Sequence, residues 1–493
     1  MKKNVLALSI ATAVVGFAGS AHAIVTADTT GTATALQFSN TNQGHMLLVP
    51  YFSTQGGNAT LLSLINTDTV NGKAVKVRFR GAKNSDDIFD FQVFLSPGDV
   101  WTANVSQNKD GLSYLTTADA SCTKPEKSVI NSTPFVTQRL NPKSTDLAGE
   151  TREGYIEIFN MADIPSSTSG VYPLIKHANS VAKCADNGTN TAWSTLDTDQ
   201  INLAAYQALG LQQPTNGIAA NWTIMNVPKA LSWSGTAAGI EAVDATAKLA
   251  KGNLVYFPQM SEAASNVNGF TADPLFTNSI VSASQYDLPD LSTPYAGGAV
   301  TPRVQADNLS KALAATQVSN EFWTLASIEA ETDWVFTMPT RRYNVAVDYS
   351  GTTPKATYAT GATYFTASNA TISGDAICVK GVTSFVWDRE ENTTVSGPVI
   401  SPGSAAAPFC GEVSVLGFNN AGAKATAVVG ATVAIKDLDT GNFVNGWGGL
   451  RTPNGGLGLP VLGSAFVKAY NPAAAAGVAG NYGINWTHRY TRP

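Results

Sequence analysis

Between His45 and Val105 the chain runs through short segments in which apolar and polar residues alternate: "HMLLVPYF", "ATLLSLIN", "KAVKVRF", "IFDFQVFL" and "DVWTANV", parted by "STQGG", "TDTVNG", "GAKNSDD" and "SPG". Alternation with period two sends successive side chains to opposite faces of a strand, and the gaps carry the Gly, Asn, Asp and Pro residues that tight turns need. Such a stretch is suited to an antiparallel meander. Its middle hairpin can be read in register. Val75, Val77 and Phe79 share one face, with Lys76, Arg78 and Arg80 on the other; Phe89, Phe91, Val93 and Leu95 share a face opposite Asp90 and Gln92. Pairing Phe79 with Phe89 sets Arg78 against Asp90 and Lys76 against Gln92, which satisfies both faces at once. Asp86 and Asp87 then fall in the turn with Asn84 and Ser85. The cluster of charge therefore reads as a hairpin rather than as a metal or acid/base site.

The same patterning continues in "EGYIEIFNM", "NWTIMNV" and "GNLVYFPQ", and in the C-terminal half in "EFWTL", "DWVFTMP", "RYNVAVDY", "ICVKGVTSFVWDREEN", "GEVSVLGFN", "ATAVVGATVAIKDL", "GSAFVKAYN" and "NYGINWTHRY". Two helices are expected. One spans Thr198 to Gly210, with Ile201, Ala204, Ala205 and Ala208 on one side; the other spans about Val304 to Ala315. The expected fold class is mainly β: antiparallel β-sandwich-like domains with long loops and a few short helices. The expected organisation is a signal peptide (1–23), an N-terminal arm (24–44), a β-rich domain with a helical insertion (45–270), a Pro-rich connection (271–302) and a second β-rich domain (303–493).

The first residues, "MKKNVLALSIATAVVGFAGSAHA", have the basic start, short apolar run and small-residue end of a secretory signal peptide cleaved after Ala23. Loss of Lys2 and Lys3 takes the formal charge from −5 to −7, a poor match for nucleic acid or anionic lipid. No later apolar run has the length of a transmembrane helix, and long polar loops argue against an outer-membrane barrel. The mature chain is expected at the cell surface or outside the cell, less so in the periplasm. Export makes disulfides the expected state of Cys122, Cys184, Cys378 and Cys410. Nearest-neighbour pairing, Cys122 with Cys184 and Cys378 with Cys410, is the simplest of three connectivities. Each link would stabilise the chain by about 4 kcal/mol in the loop-entropy model.

Catalytic signatures are sparse. His45, His177 and His488 lie far apart and outside HxH or HExxH patterns, and no GxSxG elbow occurs. The two SxxK matches, Ser106 with Lys109 and Ser180 with Lys183, lack the partners that give the pattern meaning. In "DLDTGN", Asp437 and Asp439 are a candidate Ca²⁺ pair, set against a hairpin turn of the same composition. "WDREEN" clusters Asp388, Glu390 and Glu391 beside Arg389, a set to be weighed as hydrolase carboxylates or as a charged strand end. Trp193, Trp222, Trp233 and Trp447 are candidates for stacking on sugars, with core packing as the competing role. "GWGGLRTPNGGLGLPVLG" (446–463) has neither GxGxxG nor a Walker lysine, and reads as a surface loop or a tightly packed strand crossing.

The segments "GHMLLVPYFSTQGGNATLLSLINTDTVNGKAVKVRFRGAKNSDDIFDFQVFLSPGDVWTANV", "ETDWVFTMPTRRYNV" and "FVWDREEN" resemble a group of uncharacterised secreted or cell-surface proteins of Gram-negative bacteria that share the N-terminal meander. The resemblance implies a surface location and brings no site residues. Together these readings lead to an exported, non-enzymatic structural or adhesive protein that self-associates or engages surface glycans. A carbohydrate-binding module and a carboxylate-dependent hydrolase are the alternatives. No cofactor is expected apart from the Ca²⁺ alternative.

Overall fold

A computed structural model describes residues 30–198, 203–259, 288–298, 300–394, 409–418, 422–438, 440–471, 473–475, 477–478 and 480–493. The expected signal peptide, Ala23, Ile201, Asp439 and most of the Pro-rich connection lie outside them. Within the described residues the chain is mainly β and its large sheets are antiparallel, apart from one parallel edge pair. The N-terminal half builds two of them. Seven strands run in the spatial order Ala35–Phe38, Ala238–Val243, Met46–Ser53, Glu153–Pro165, Asn71–Gly81, Asp87–Leu95, Cys122–Lys124. Against them lie Leu231–Thr236, Ile218–Asn226, Asn58–Asn66, Val100–Gln107 and Ser113–Thr116, with the two-residue strand Gln43–Gly44 beside Ile218–Asn226. Phe91 from the first sheet meets Trp101 from the second with ring centres 5.4 Å apart, and both are fully buried. Burying each such ring stabilises the sandwich by roughly 2–3 kcal/mol.

The hairpin register is the one the alternation predicts: Lys76 lies opposite Gln92, Arg78 opposite Asp90 and Phe79 opposite Phe89. Glu153–Pro165 adds a third strand, with Glu157 beside Arg78 and Ile158 beside Val77. Asp87 opens its strand opposite Arg80 instead of lying in the turn.

The C-terminal half repeats the sandwich with two five-stranded sheets. One, here the Trp447 sheet, runs Thr393–Thr394, Thr383–Asp388, Asn445–Arg451, Gln317–Trp323, Arg489–Thr491. The other runs Ile435–Leu438, Val413–Phe418, Glu331–Thr337, Leu462–Tyr470, Asn481–Thr487. Phe322 and Phe418 stack across the space between them at 5.0 Å. The two halves share packing as well: Val335, Val413, Leu462 and Phe466 join the N-terminal apolar core. The Trp233 indole donates to the Val467 carbonyl at 2.8 Å. Bonds Cys122–Cys184 and Cys378–Cys410 are both present, which is the nearest-neighbour pairing.

Three local expectations change. "GNLVYFPQ" is buried up to Pro258 but forms no continuous strand, because its polar backbone partners are single contacts such as Val255 N–H to the Met161 carbonyl. Of "ATAVVGATVAIKDL" only Ile435–Leu438 is a strand, because the Val428 and Val429 amides turn instead to the Asp333 carboxylate. Among the described residues of the first helix, Leu203–Ala208, Tyr206 is the buried residue, with Ala204 and Ala208 exposed and Ala205 half-buried, since the larger ring removes more apolar area from water. The second helix is Pro302–Leu313, capped by Thr301 and started by Pro302.

Candidate functional site

The charged face of the Lys73–Leu95 hairpin is not a surface. It is covered by the segment around Phe257 and Gln259, by residues 288–296 and by the turn Arg341–Tyr343. Beneath this cover the charges pair. Arg78 reaches Asp87 at 2.7 Å, Arg80 reaches Glu157 at 3.2 Å, and Lys76 contacts both Asp90 and Gln259. Arg341 holds Glu412 at 2.6 Å, while Glu412 also accepts the Arg342 amide. Burial pushes the Asp86 carboxyl well above its ordinary range, with the Glu150 charge adding to the effect and Arg342 opposing it. Burial also raises Glu412, against the pull of Arg341. Raised carboxyls of this kind occur in active sites, but here they are sealed. What the geometry provides is a locked polar layer between the two halves.

The histidines are built into the backbone. His45 Nδ1 accepts the Ala242 amide at 3.0 Å and its Nε2 lies 2.9 Å from the Ala250 carbonyl; burial lowers its pKa to about 3. His488 sits between the Asn320 amide and the Val335 carbonyl, and burial holds it at about 3 as well. His177 lies 3.5 Å from Asp99 near the surface. Asp437 lies exposed on an edge strand opposite Gly417. Among the described residues no group of three or more His, Cys, Asp or Glu side chains is arranged to hold a metal ion.

"WDREEN" is a hairpin turn. The Asp388 carboxylate accepts the backbone amides of Glu390 and Asn392 and the Asn392 side chain, and these bonds, the side-chain one foremost, lower its pKa. Glu390 and Glu391 point to solvent from the same turn. These three carboxylates do not face one another across a cleft.

Of the four tryptophans read as stacking candidates, three are core residues. Trp193 lies under Lys124 and against Phe94, Trp222 packs on Phe466, and Trp233 is tied to Val467. Trp447 is different: it is 44% exposed. It sits in the middle strand of its sheet, and the alternation there puts Val318, Phe322, Val386 and Leu450 into the core and their neighbours outside. Across the outward face, Trp387, Trp447 and Glu321 form one row, and Phe385, Gly449, Ser319 and Arg489 form the next. The Trp387 and Trp447 ring planes are parallel within 7°, with centres 6.5 Å apart. Phe385 meets Trp447 edge-on at 5.6 Å, and Trp323 meets Trp486 at 5.1 Å.

The glycine run makes this arrangement sterically feasible. A Cβ on Gly446 would fall 1.9 Å from the Trp387 carbonyl oxygen, and one on Gly449 would fall 2.6 Å from the Phe385 ring. Gly446 lets the two Trp-bearing strands close, and Gly449 leaves Phe385 room to lie over the backbone. Arg451 sits 4.7 Å from the centre of the Phe385 ring, a cation–π contact. The result is an open concavity of about 570 Å³ lined by Ser319, Glu321, Trp323, Arg389, Trp447 and Arg489, among others. Reading the sequence singled out Trp447 and, separately, the "WDREEN" carboxylates. It missed Trp387 and the part played by the glycine run; the signal was Trp387 and Trp447 on two alternating strands, whose pairing sequence alone does not disclose.

Comparison of the chain with protein-family models, with curated proteins and with solved structures finds no match.

Proposed function

We propose that this protein is an exported, disulfide-linked β-sandwich adhesin that binds carbohydrate on the outward face of the Trp447 sheet. The observation that carries the reading is exposed Trp447, which lines a concavity that also presents a carboxylate, amides, a hydroxyl and guanidinium groups and is flanked by half-buried Trp387 with its ring plane parallel. Sugar rings offer apolar C–H faces that lie against indoles, while their hydroxyls need donors and acceptors at the edge of the contact. Parallel indole planes present the same orientation to successive rings of a chain. Glu321, Asn445 and Ser319 are placed to serve the hydroxyls. Aromatic residues that could have been buried instead stay on the surface, a marker of interaction surfaces.

Export is supported by the leader read at residues 1–23, by the two disulfides and by the absence, among the described residues, of a helix long and apolar enough to cross a membrane. Binding without turnover fits the "WDREEN" turn, where Asp388 is tied to backbone amides and Glu390 and Glu391 face solvent. Self-association through sheet edges has less support: the edge strand Leu231–Thr236 is covered by Asn481–Thr487, and Ala35–Phe38 by the helix Pro302–Leu313.

The test is tryptophan fluorescence and calorimetric titration of the oxidised protein with a panel of soluble oligosaccharides, alongside Trp447→Ala and Trp387→Ala. Saturable binding by the parent chain, lost in both variants while their melting temperatures hold, is the expected result. Binding that survives both substitutions would move the site elsewhere, and no binding to any member of a broad panel would remove the reading.

A further inference from the structure

The same face bears on which carbohydrate is bound, an inference that rests on the glycan-binding reading above. The chain as a whole is acidic, with 36 Asp and Glu against 31 Lys and Arg. Among the residues lining the concavity that balance is reversed, with two arginines against the single carboxylate of Glu321. Arg389 and Arg489 both line the concavity, and Arg451 lies over Phe385 in the adjoining row. Two carboxylates nearby are paired, Arg489 lying 3.3 Å from Glu321 and Arg389 2.6 Å from Glu390, while in the turn that carries Arg389 Asp388 is bonded to backbone amides and Glu391 faces solvent. Both pairs are largely in water, with the Arg489 and Arg389 side chains 67% and 71% exposed. Ion pairs so exposed hold their partners weakly, so a ligand anion can replace either carboxylate at little cost. Guanidinium is also the side chain whose planar fork matches a carboxylate with two parallel hydrogen bonds and whose flat face stacks on rings.

We infer that the ligand of this face is an acidic polysaccharide, its sugar rings stacking on Trp387 and Trp447 and its anionic substituents taken by Arg389 and Arg489. When Arg489 turns to the ligand, Glu321 is released to accept a sugar hydroxyl beside Trp447. The shared chemistry is a sugar chain bearing fixed negative charge; a carboxylate polymer and a sulfated polymer both supply it.

The experiment titrates the full oxidised chain with three size-matched probes: oligogalacturonate, a sulfated oligosaccharide and a neutral cello-oligosaccharide, each at low and at physiological salt. The expected result is that at least one acidic probe binds about tenfold or more tighter than the neutral one, with the difference shrinking as salt rises. The carboxylate and sulfate arms then say which anion the guanidinium groups take. Arg389→Gln with Arg489→Gln should abolish the acidic preference, bringing acidic and neutral probes to the same affinity, whereas Trp447→Ala should weaken every probe that binds. Because the protein's net charge is negative, nonspecific attraction does not mimic this outcome. Equal affinity for neutral and acidic probes, or an acidic preference that survives loss of both arginines, would overturn the inference and leave glycan binding intact. Failure of all three probes, extended to the wider panel, would count against glycan binding itself.

Discussion

Two Arg–Glu pairs in this molecule have the same separation and opposite meaning. Arg341 and Glu412 meet at 2.6 Å with side chains 1% and 0% exposed; Arg389 and Glu390 meet at 2.6 Å with side chains 71% and 58% exposed. The first belongs to the polar layer over the N-terminal hairpin, the second to the rim of the aromatic face. Each of these sheets turns one alternating face inward and the other away from its core. Over the hairpin, that second face is roofed by loops and by the C-terminal half, so its charges must pair or the fold fails. On the Trp447 sheet nothing described lies over it, so aromatic rings and guanidinium groups stay available. Cover, more than residue type, separates a structural face from one free to bind.

The largest expected effect follows from the covered pair. Glu412→Ala strands the Arg341 guanidinium and the Arg342 amide in a dry site, and should cost about 3–5 kcal/mol in urea unfolding. Replacing both partners, Arg341→Met with Glu412→Leu, should recover the part of that loss that comes from the guanidinium. A Glu412→Ala protein as stable as the parent would break the comparison at its first term.

Asp333 sharpens it through pH. Its carboxylate accepts the Val428 and Val429 amides, and burial raises its pKa from 3.8 to about 6. A raised carboxyl binds its proton more tightly in the folded chain than in the unfolded one. Its contribution to stability is therefore complete below pH 3.8 and is lost as the pH rises through about 6, a loss on the order of 3 kcal/mol. Asp333→Asn keeps an acceptor for both amides and has no charge to bury. Its stability relative to the parent should rise between pH 4 and pH 7.5, read as the difference between two urea-melt series; a difference flat with pH would contradict this.

How much of this was legible in sequence depends on whether the signal is local. The hairpin register from Lys76 to Asp90 follows from alternation, because a one-residue slip would put Phe79 among the charges. A helix was legible at about Val304 to Ala315, two residues late at each end because its Thr-Pro start was not used, and the disulfides followed from export and spacing. The cover over Arg78 and Arg80 does not follow, since Pro289 and Arg341 arrive from more than two hundred residues away. The aromatic face was half legible for the same reason. Trp447 was one stacking candidate among four until Thr383–Asp388 was laid beside Asn445–Arg451, and the glycines, read as a surface loop or a tightly packed strand crossing, proved to be the crossing, their missing Cβ atoms admitting Trp387 and Phe385.

On the open face, Trp447→Ala should separate binding from folding. Removing a half-exposed indole from a sheet face changes stability by less than about 1 kcal/mol, whereas losing a central aromatic anchor costs binding about 2 kcal/mol, roughly thirtyfold in affinity. If instead the melting temperature falls steeply and ligand affinity holds, the ring is a packing residue and the two faces are alike.

The smallest effect belongs to Glu390→Ala, and its smallness is the point. The Arg389–Glu390 contact is as short as the buried one, but water screens both charges and solvates whichever is left alone, so urea unfolding should shift by no more than about 0.5 kcal/mol. The substitution also frees Arg389 beside Trp387, so affinity for an anionic ligand should rise slightly while affinity for a neutral one stays put. Measured beside Glu412→Ala, it compares one pair chemistry at one distance with and without a roof. Comparable losses from the two substitutions would mean that proximity, not cover, sets what such a pair is worth in this fold.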